Sequence, residues 1–423
     1  MIHIPIQYQE VKTSGKVINI YENPDSWFWL SASINPYRGC EHNCSYCDGK
    51  AEWYRIDRFS SHIRVKTDSH RKFEKELLTL GYIPKERPSL DKFFQQSSSH
   101  IVAPKKQLSL FAIGGGVCDV YQQAEEKYKI TRKLLQVAHK FMIPISILTK
   151  SEMVARDLKL IQKISTQSYA NVSFSITQFD DEVRKVFEPN SSSTENRFDT
   201  LELIRKNDIP GGIMLMPILP GIGDTEENLR NIIKKGKDIG ANFVLPAGLT
   251  LKPGRNKDEL LTTIRKNYPE FSPHYEHLYS NNNKYGIPIR NSKFSRNGAK
   301  IVHEFCRRYD IPDRIPRYLS PWAIKVNYVI STILFNLAYY FQYVSEQKWR
   351  KIANFSKTAR VIEQSSQSVA SLSKKELRNL ISDETVLEVV EEILYKGKST
   401  VLSQYQNPGD VFEGNQSIED FLS

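Results

Sequence analysis

Cys40, Cys44 and Cys47 stand four and three residues apart in one short stretch, Asn35-Pro36-Tyr37-Arg38-Gly39-Cys40-Glu41-His42-Asn43-Cys44-Ser45-Tyr46-Cys47. Three thiolates so placed can converge on one small inorganic body. An all-cysteine iron–sulfur cluster takes four thiolates, so a loop that offers three leaves one iron of a cubane open to a substrate or cofactor. The competing ligand set is zinc held by the same cysteines and His42, a tetrahedron of three cysteines and one histidine. Structural zinc sites more often collect their ligands as two separated pairs, and a single loop would have to wrap the ion entirely, which favours the cluster.

The elements that must position this loop are legible as alternating patterns. Short β-branched or apolar runs alternate with helical periodicity from residue 108 onward, the pattern of a parallel α/β domain. Strands are predicted over 30–34, 108–113, 145–149, 171–177, 213–218 and 243–246, and helices over 71–80, 125–141 and 151–164. A further helix is capped by Thr225 and stops at Gly240, while Ser151 caps the helix that it opens. In a β/α barrel the loops after the C-terminal strand ends build the active site. The first strand delivers the cysteine loop. The second leads into Gly114, Gly115 and Gly116, which admit close approach of backbone to a ligand, and then Cys118 and Asp119. The third ends at Lys150, whose charge at the start of a helix is disfavoured by the helix dipole, so a partner such as a cofactor carboxylate is the better reason for it. The fourth ends in hydroxyls, Ser175 and Thr177.

The Cys-x3-Cys-x2-Cys pattern with Tyr46 before its last cysteine resembles the radical SAM superfamily. The longer string from Asn35 to Cys47 is similar to the spore photoproduct lyase-like branch, also described as DNA repair photolyase-like. The resemblance implies a partial (β/α)6 TIM-like barrel, an α/β fold, with a helical C-terminal extension. It implies a [4Fe-4S] cluster on Cys40, Cys44 and Cys47 as metal ligands and S-adenosylmethionine (SAM) chelated by the open iron. Tyr46 is then expected near the adenine, Gly114–Gly116 at the amino group, and Lys150, Ser175, Glu188 and Arg197 around the rest of the cofactor. The branch carries Thr-Asp-Pro-Tyr-Gln-Pro-x-Glu after its second strand; this chain keeps Asp119, Tyr121, Gln122 and Glu125 but has Cys118, Val120 and Gln123 at the other places. Cys118 and Tyr121 are the catalytic candidates. A thiol suits hydrogen donation to a product radical, and a small buried filler is the competing explanation for Cys118. The implied reaction is hydrogen abstraction by a 5′-deoxyadenosyl radical, with nucleic acid as the substrate and a flavodoxin- or ferredoxin-type reductant as partner. Two alternatives stay open: a radical enzyme acting on a protein or small metabolite, and a non-catalytic metal-binding nucleic-acid adaptor.

Composition sets outer bounds. The 423 residues carry a net charge of +11 with a pI near 9.1, which favours an acidic partner, nucleic acid before an anionic membrane surface. With three of five cysteines in one loop, Cys118 and Cys306 are too few for a disulfide framework, and a reducing, cytoplasmic setting is expected. No basic start followed by an apolar run marks a secretory signal. The uncharged stretch 326–344 is as long as a membrane span but mixes Asn327, Ser331, Thr332, Asn336 and Gln342 with scattered tyrosines, so it reads as a buried helix, with no membrane association. The expected organisation is an N-terminal extension (1–29), the barrel (30–253), a helical part packed on it (254–362), and a linker with a helical tail (363–423), in a monomer. Basic and aromatic residues of 53–72, with Arg290, Lys293, Arg296, Lys300, Arg307 and Arg308, form a candidate phosphate-tracking groove.

Overall fold

The computed structural model describes residues 5–23, 25–85, 108–289 and 293–412. In chain order its strands are β1 (Gln7–Val11), β2 (Ile18–Ile20), β3 (Ala32–Ile34), β4 (Tyr37–Arg38), β5 (His62–Lys66), β6 (Phe111–Ile113), β7 (Ile145–Thr149), β8 (Ala170–Ser175), β9 (Ile213–Ile218) and β10 (Val244–Gly248). Seven form one sheet in the order β10-β9-β8-β7-β6-β3-β2. The six from β3 to β10 are mutually parallel and match the six expected strands, with β2 added antiparallel to β3 at the edge. The sheet is open, ending at β10 and β2, as a partial barrel requires.

Side-chain alternation divides the sheet into two faces. Phe111, Ile113, Ile145, Ile147, Val172, Phe174, Ile213 and Leu215 point into one core with the crossover helices, including Ile130–Lys140, Leu158–Gln167 and Glu226–Asp238. Each fully buried side chain of this kind contributes about 1.5–3 kcal/mol. On β8 the intervening Asn171, Ser173 and Ser175 face the other way. The helix caps fall where the sequence places them. Ser151 Oγ accepts from Met153 N–H at 3.2 Å, and Thr225 Oγ1 accepts from Asn228 N–H at 3.2 Å. The expected helix over 125–141 is broken at Lys129, which adopts φ 51°, into Ala124–Tyr128 and Ile130–Lys140.

Three local differences have physical causes. Residues 51–106 gave no strand signal, yet β5 lies there, pairing in parallel with β1 and antiparallel with β4 in a second, three-stranded sheet. Its partners lie outside the segment, beyond the reach of local patterning. The 363–373 stretch is no free linker: Val369 is fully buried and its N–H donates to Asn327 Oδ1 at 2.8 Å. The 374–395 tail forms two helices, Lys374–Leu380 and Glu384–Lys396, of which the second buries Val386, Leu387, Val389, Val390 and Ile393. The expected loop at 95–100 and the acidic C-terminal end lie outside the described residues.

The stretch 326–344 is a buried helix, Lys325–Tyr343, in a second core with Met214, Phe243 and Leu245 from the β9–β10 end of the sheet, and Trp29. No helix among the described residues is long and apolar enough to cross a membrane.

Candidate metal and cofactor site

The cysteine loop begins where β4 meets Gly39. Gly39 has φ +93°, and a Cβ there would lie 2.8 Å from Phe59 O and 2.9 Å from His62 O, so only glycine passes. Cys40 then hangs its N–H on Phe59 O at 3.0 Å, Ser45 N–H reaches Phe187 O at 2.8 Å, and Cys47 N–H closes on Cys44 O at 3.1 Å. Outside the loop, Asn256 Nδ2 donates to Cys47 O at 3.0 Å and Gln122 Nε2 donates to Gly39 O at 3.1 Å. Glu41 is held by Tyr8 Oη and by Ala124 N–H, each at 2.6 Å. The loop is thus fixed from several elements before any metal arrives.

All three loop thiols are free, Cys40 and Cys44 buried and Cys47 half-buried. Burial pushes the Cys44 thiol up to about 12 and raises Cys40 and Cys47 as well. Metal loading must therefore release protons from these groups. The zinc alternative does not fit. His42 Nδ1 lies 3.2 Å from Asn190 O and its Nε2 3.0 Å from Asp119 Oδ2, so both ring nitrogens face oxygens. Three separate thiols spread along one loop fit a body with several irons better than a single tetrahedral ion.

Facing the loop are the ends of β7 and β8. Lys150 Nζ donates to Ser175 Oγ at 2.6 Å, lies 5.8 Å from the Tyr46 ring centre, and pulls the Cys44 and Cys47 thiols downward by its charge. Ser175 Oγ in turn donates to Met216 O at 3.1 Å. The Tyr46 hydroxyl donates to Glu188 Oε1. Glu188 Oε2 lies 2.5 Å from Arg197 Nη2, and Arg197 also donates to Ser175 O at 2.7 Å and Ser192 O at 3.0 Å. Burial alone would raise the Glu188 carboxyl, but the Arg197 and Lys150 charges hold it at about 2. Tyr46, Lys150, Ser175, Glu188 and Arg197 therefore come together, although the last two spend their bonding capacity on each other and on the backbone. They hold the Tyr46 hydroxyl and the Ser175 backbone in place.

The glycines divide. Gly114 needs its φ of +121°, and Gly115 is pressed against Asn35, where a Cβ would meet Nδ2 at 2.9 Å. Gly116 faces open space. Cys118 is buried against Cys40, Ile56 and Phe59, with Cys47 at the edge of the cluster, and burial pushes its thiol up to about 12. Tyr121 is not at a reacting surface: it is fully buried in the sheet's core and its hydroxyl donates to Asp157 Oδ2 at 3.2 Å, so it packs and positions. Residues that sequence reasoning left without a role include Asn256, Asn190 and Gln122. Gln122 had a signal, its place in the Asp119–Glu125 motif; Asn256 and Asn190 had none.

The proposed groove is smaller than the sequence suggests. Trp53 is 66% exposed, and Arg55, Arg58, Arg71 and Lys300 are exposed. Phe59 is core, Lys66 donates to Asn35 O at 2.8 Å, and Arg307 bonds Gln404 O. Arg308 lies over the Phe305 ring at 5.2 Å. The side chains of Arg290, Lys293 and Arg296 lie outside the described residues.

A six-stranded parallel half-barrel with a three-cysteine loop after its first strand defines the class, and comparison with known proteins agrees. The chain belongs to the radical SAM superfamily, whose family model matches residues 34–236. The superfamily's cofactors are a [4Fe-4S] cluster and SAM. The chain is 30% identical over 239 residues to an uncharacterized protein of Methanocaldococcus jannaschii, spanning 56% of this chain and 76% of that one. It is 26% identical over 252 residues to an uncharacterized protein of Mycobacterium tuberculosis, spanning 58% of this chain and 66% of that one, just under two thirds. Among solved structures, spore photoproduct lyase complexed with dinucleoside spore photoproduct superposes with a TM-score of 0.47 at 15% identity, covering 71% of this chain and 78% of that one.

Proposed function

We propose that this chain is a radical enzyme in which Cys40, Cys44 and Cys47 hold three irons of the [4Fe-4S] cluster, and Lys150 and Ser175 face SAM on the fourth. The observation that carries the reading is the juxtaposition of the free thiols of Cys44 and Cys47 with the Lys150–Ser175 pair across the strand ends. When bound and reduced by one electron, the cluster and SAM would supply a 5′-deoxyadenosyl radical for hydrogen abstraction. The chain's own residues do the rest. The Lys150 ammonium offers a charge partner to a carboxylate, and the Glu188–Arg197 pair fixes Tyr46 and the Ser175 backbone. Cys118, buried beside Cys40 with its thiol raised by burial, is the candidate hydrogen donor to a product radical, with packing as the competing role.

Nucleic acid is the substrate class we favour, on the motif resemblance, the net charge of +11, and the exposed Trp53, Arg55 and Arg58 that follow the cysteine loop. A flavodoxin- or ferredoxin-type protein would supply the electron. The test is anaerobic reconstitution, reduction with dithionite, and assay for 5′-deoxyadenosine. Its absence from a fully iron-loaded protein overturns the enzyme reading, and salt-independent or absent binding to DNA and RNA overturns the substrate class.

A further inference from the structure

Asp119 stands between the cysteine loop and the end of β7. Its Oδ1 accepts from Tyr121 N–H and Thr149 Oγ1, both at 2.8 Å. Its Oδ2 accepts from Lys150 N–H at 2.7 Å and has His42 Nε2 at 3.0 Å. The carboxylate accepts three hydrogen bonds and faces His42 as a charge partner, because both of its oxygens only accept; an asparagine would turn an NH2 toward one side. The side chain is 7% exposed, and a buried charge is costly unless paired in this way. The far side of the imidazole, Nδ1, lies 3.2 Å from Asn190 O, while Asn190 Nδ2 donates to Glu41 O at 2.9 Å. His42 thus sits between Asn190 and Asp119, with one ring nitrogen beside each. It lies two residues from Cys40 and two from Cys44. The loop that carries the cysteines and the backbone that carries Lys150 share one anchor.

We infer that His42 and Asp119 are positioning residues which set the spacing between the cysteine loop and Lys150, and so govern how tightly SAM is held, although neither touches cluster or SAM. The inference rests on the functional reading above. Its test uses the full chain, reconstituted anaerobically and reduced with dithionite, with SAM titrated against the EPR spectrum of the reduced cluster. His42→Phe and Asp119→Asn are expected to keep wild-type iron and sulfide and an unaltered spectrum without SAM. They are expected to need about 10-fold more SAM to reach the SAM-dependent spectrum, the lower end of what loss of an outer-shell partner costs. His42→Gln, whose amide reaches toward Asp119, recovers most of that loss. An unchanged titration midpoint in both His42→Phe and Asp119→Asn overturns the inference. Loss of iron from both does so too, because the pair would then be holding the cluster loop itself together. A wild-type protein that loads iron but shows no spectral response to SAM overturns the functional reading, and this inference with it.

Discussion

The Glu188 carboxylate and the Arg197 guanidinium meet at 2.5 Å with both side chains out of reach of solvent, and the same arginine holds the Ser175 carbonyl. Breaking one partner of such a pair leaves an uncompensated buried charge, which costs about 3–5 kcal/mol. Arg197→Met should lose that much stability in anaerobic chemical denaturation of the metal-free protein, while a Glu188/Arg197 double replacement by apolar residues recovers part of it.

The same pair predicts a pH dependence. Glu188 is held at about 2 when folded, below its ordinary value near 4.5. Its contribution is therefore fully present above pH 4.5 and is lost as pH falls toward 2. Wild type should lose more stability than Glu188→Gln between pH 5 and about pH 3. Parallel slopes for the two proteins in that window would show that the pair does not carry this dependence.

Replacing Cys40, Cys44 or Cys47 singly by alanine should abolish retention of reconstituted iron and sulfide, whereas Cys306→Ala, buried at the other end of the sheet's core, should retain them. Iron and acid-labile sulfide analysis decides it.

Lys150→Met should leave iron content intact and weaken SAM binding. Loss of a charged hydrogen bond is worth about 1.5–3 kcal/mol, or roughly 10- to 150-fold in the dissociation constant. Equilibrium binding of SAM to the loaded protein measures it.

Cys118→Ala should leave 5′-deoxyadenosine formation in place and change the product made beside it, as read by mass spectrometry. An unchanged product distribution removes Cys118 from the chemistry and leaves it the role of packing against Cys40 and Phe59.

The six parallel strands and the cysteine loop were legible because each is written locally: alternation within a handful of residues, spacing within eight. β5 was not, because its pairing with β1 joins His62 to Gln7 and local patterning has no access to that distance. Asn256, which ties down the backbone of Cys47 from 209 residues away, was invisible for the same reason. Tyr121 was misjudged in the other direction. It belongs to a motif with chemical neighbours, and only the packing of its ring into the sheet's apolar core shows which way it faces.

The helix Lys325–Tyr343, packed with Met214 and Leu245, bears on how this scaffold can change. The cysteines, Lys150 and Ser175 sit on the loops and strand ends of the first four parallel strands, whereas this helix stands against the last two. A change in this helix is therefore transmitted first to β9 and β10, the strands it packs against, and not to the strands that carry the cysteine loop, Lys150 and Ser175.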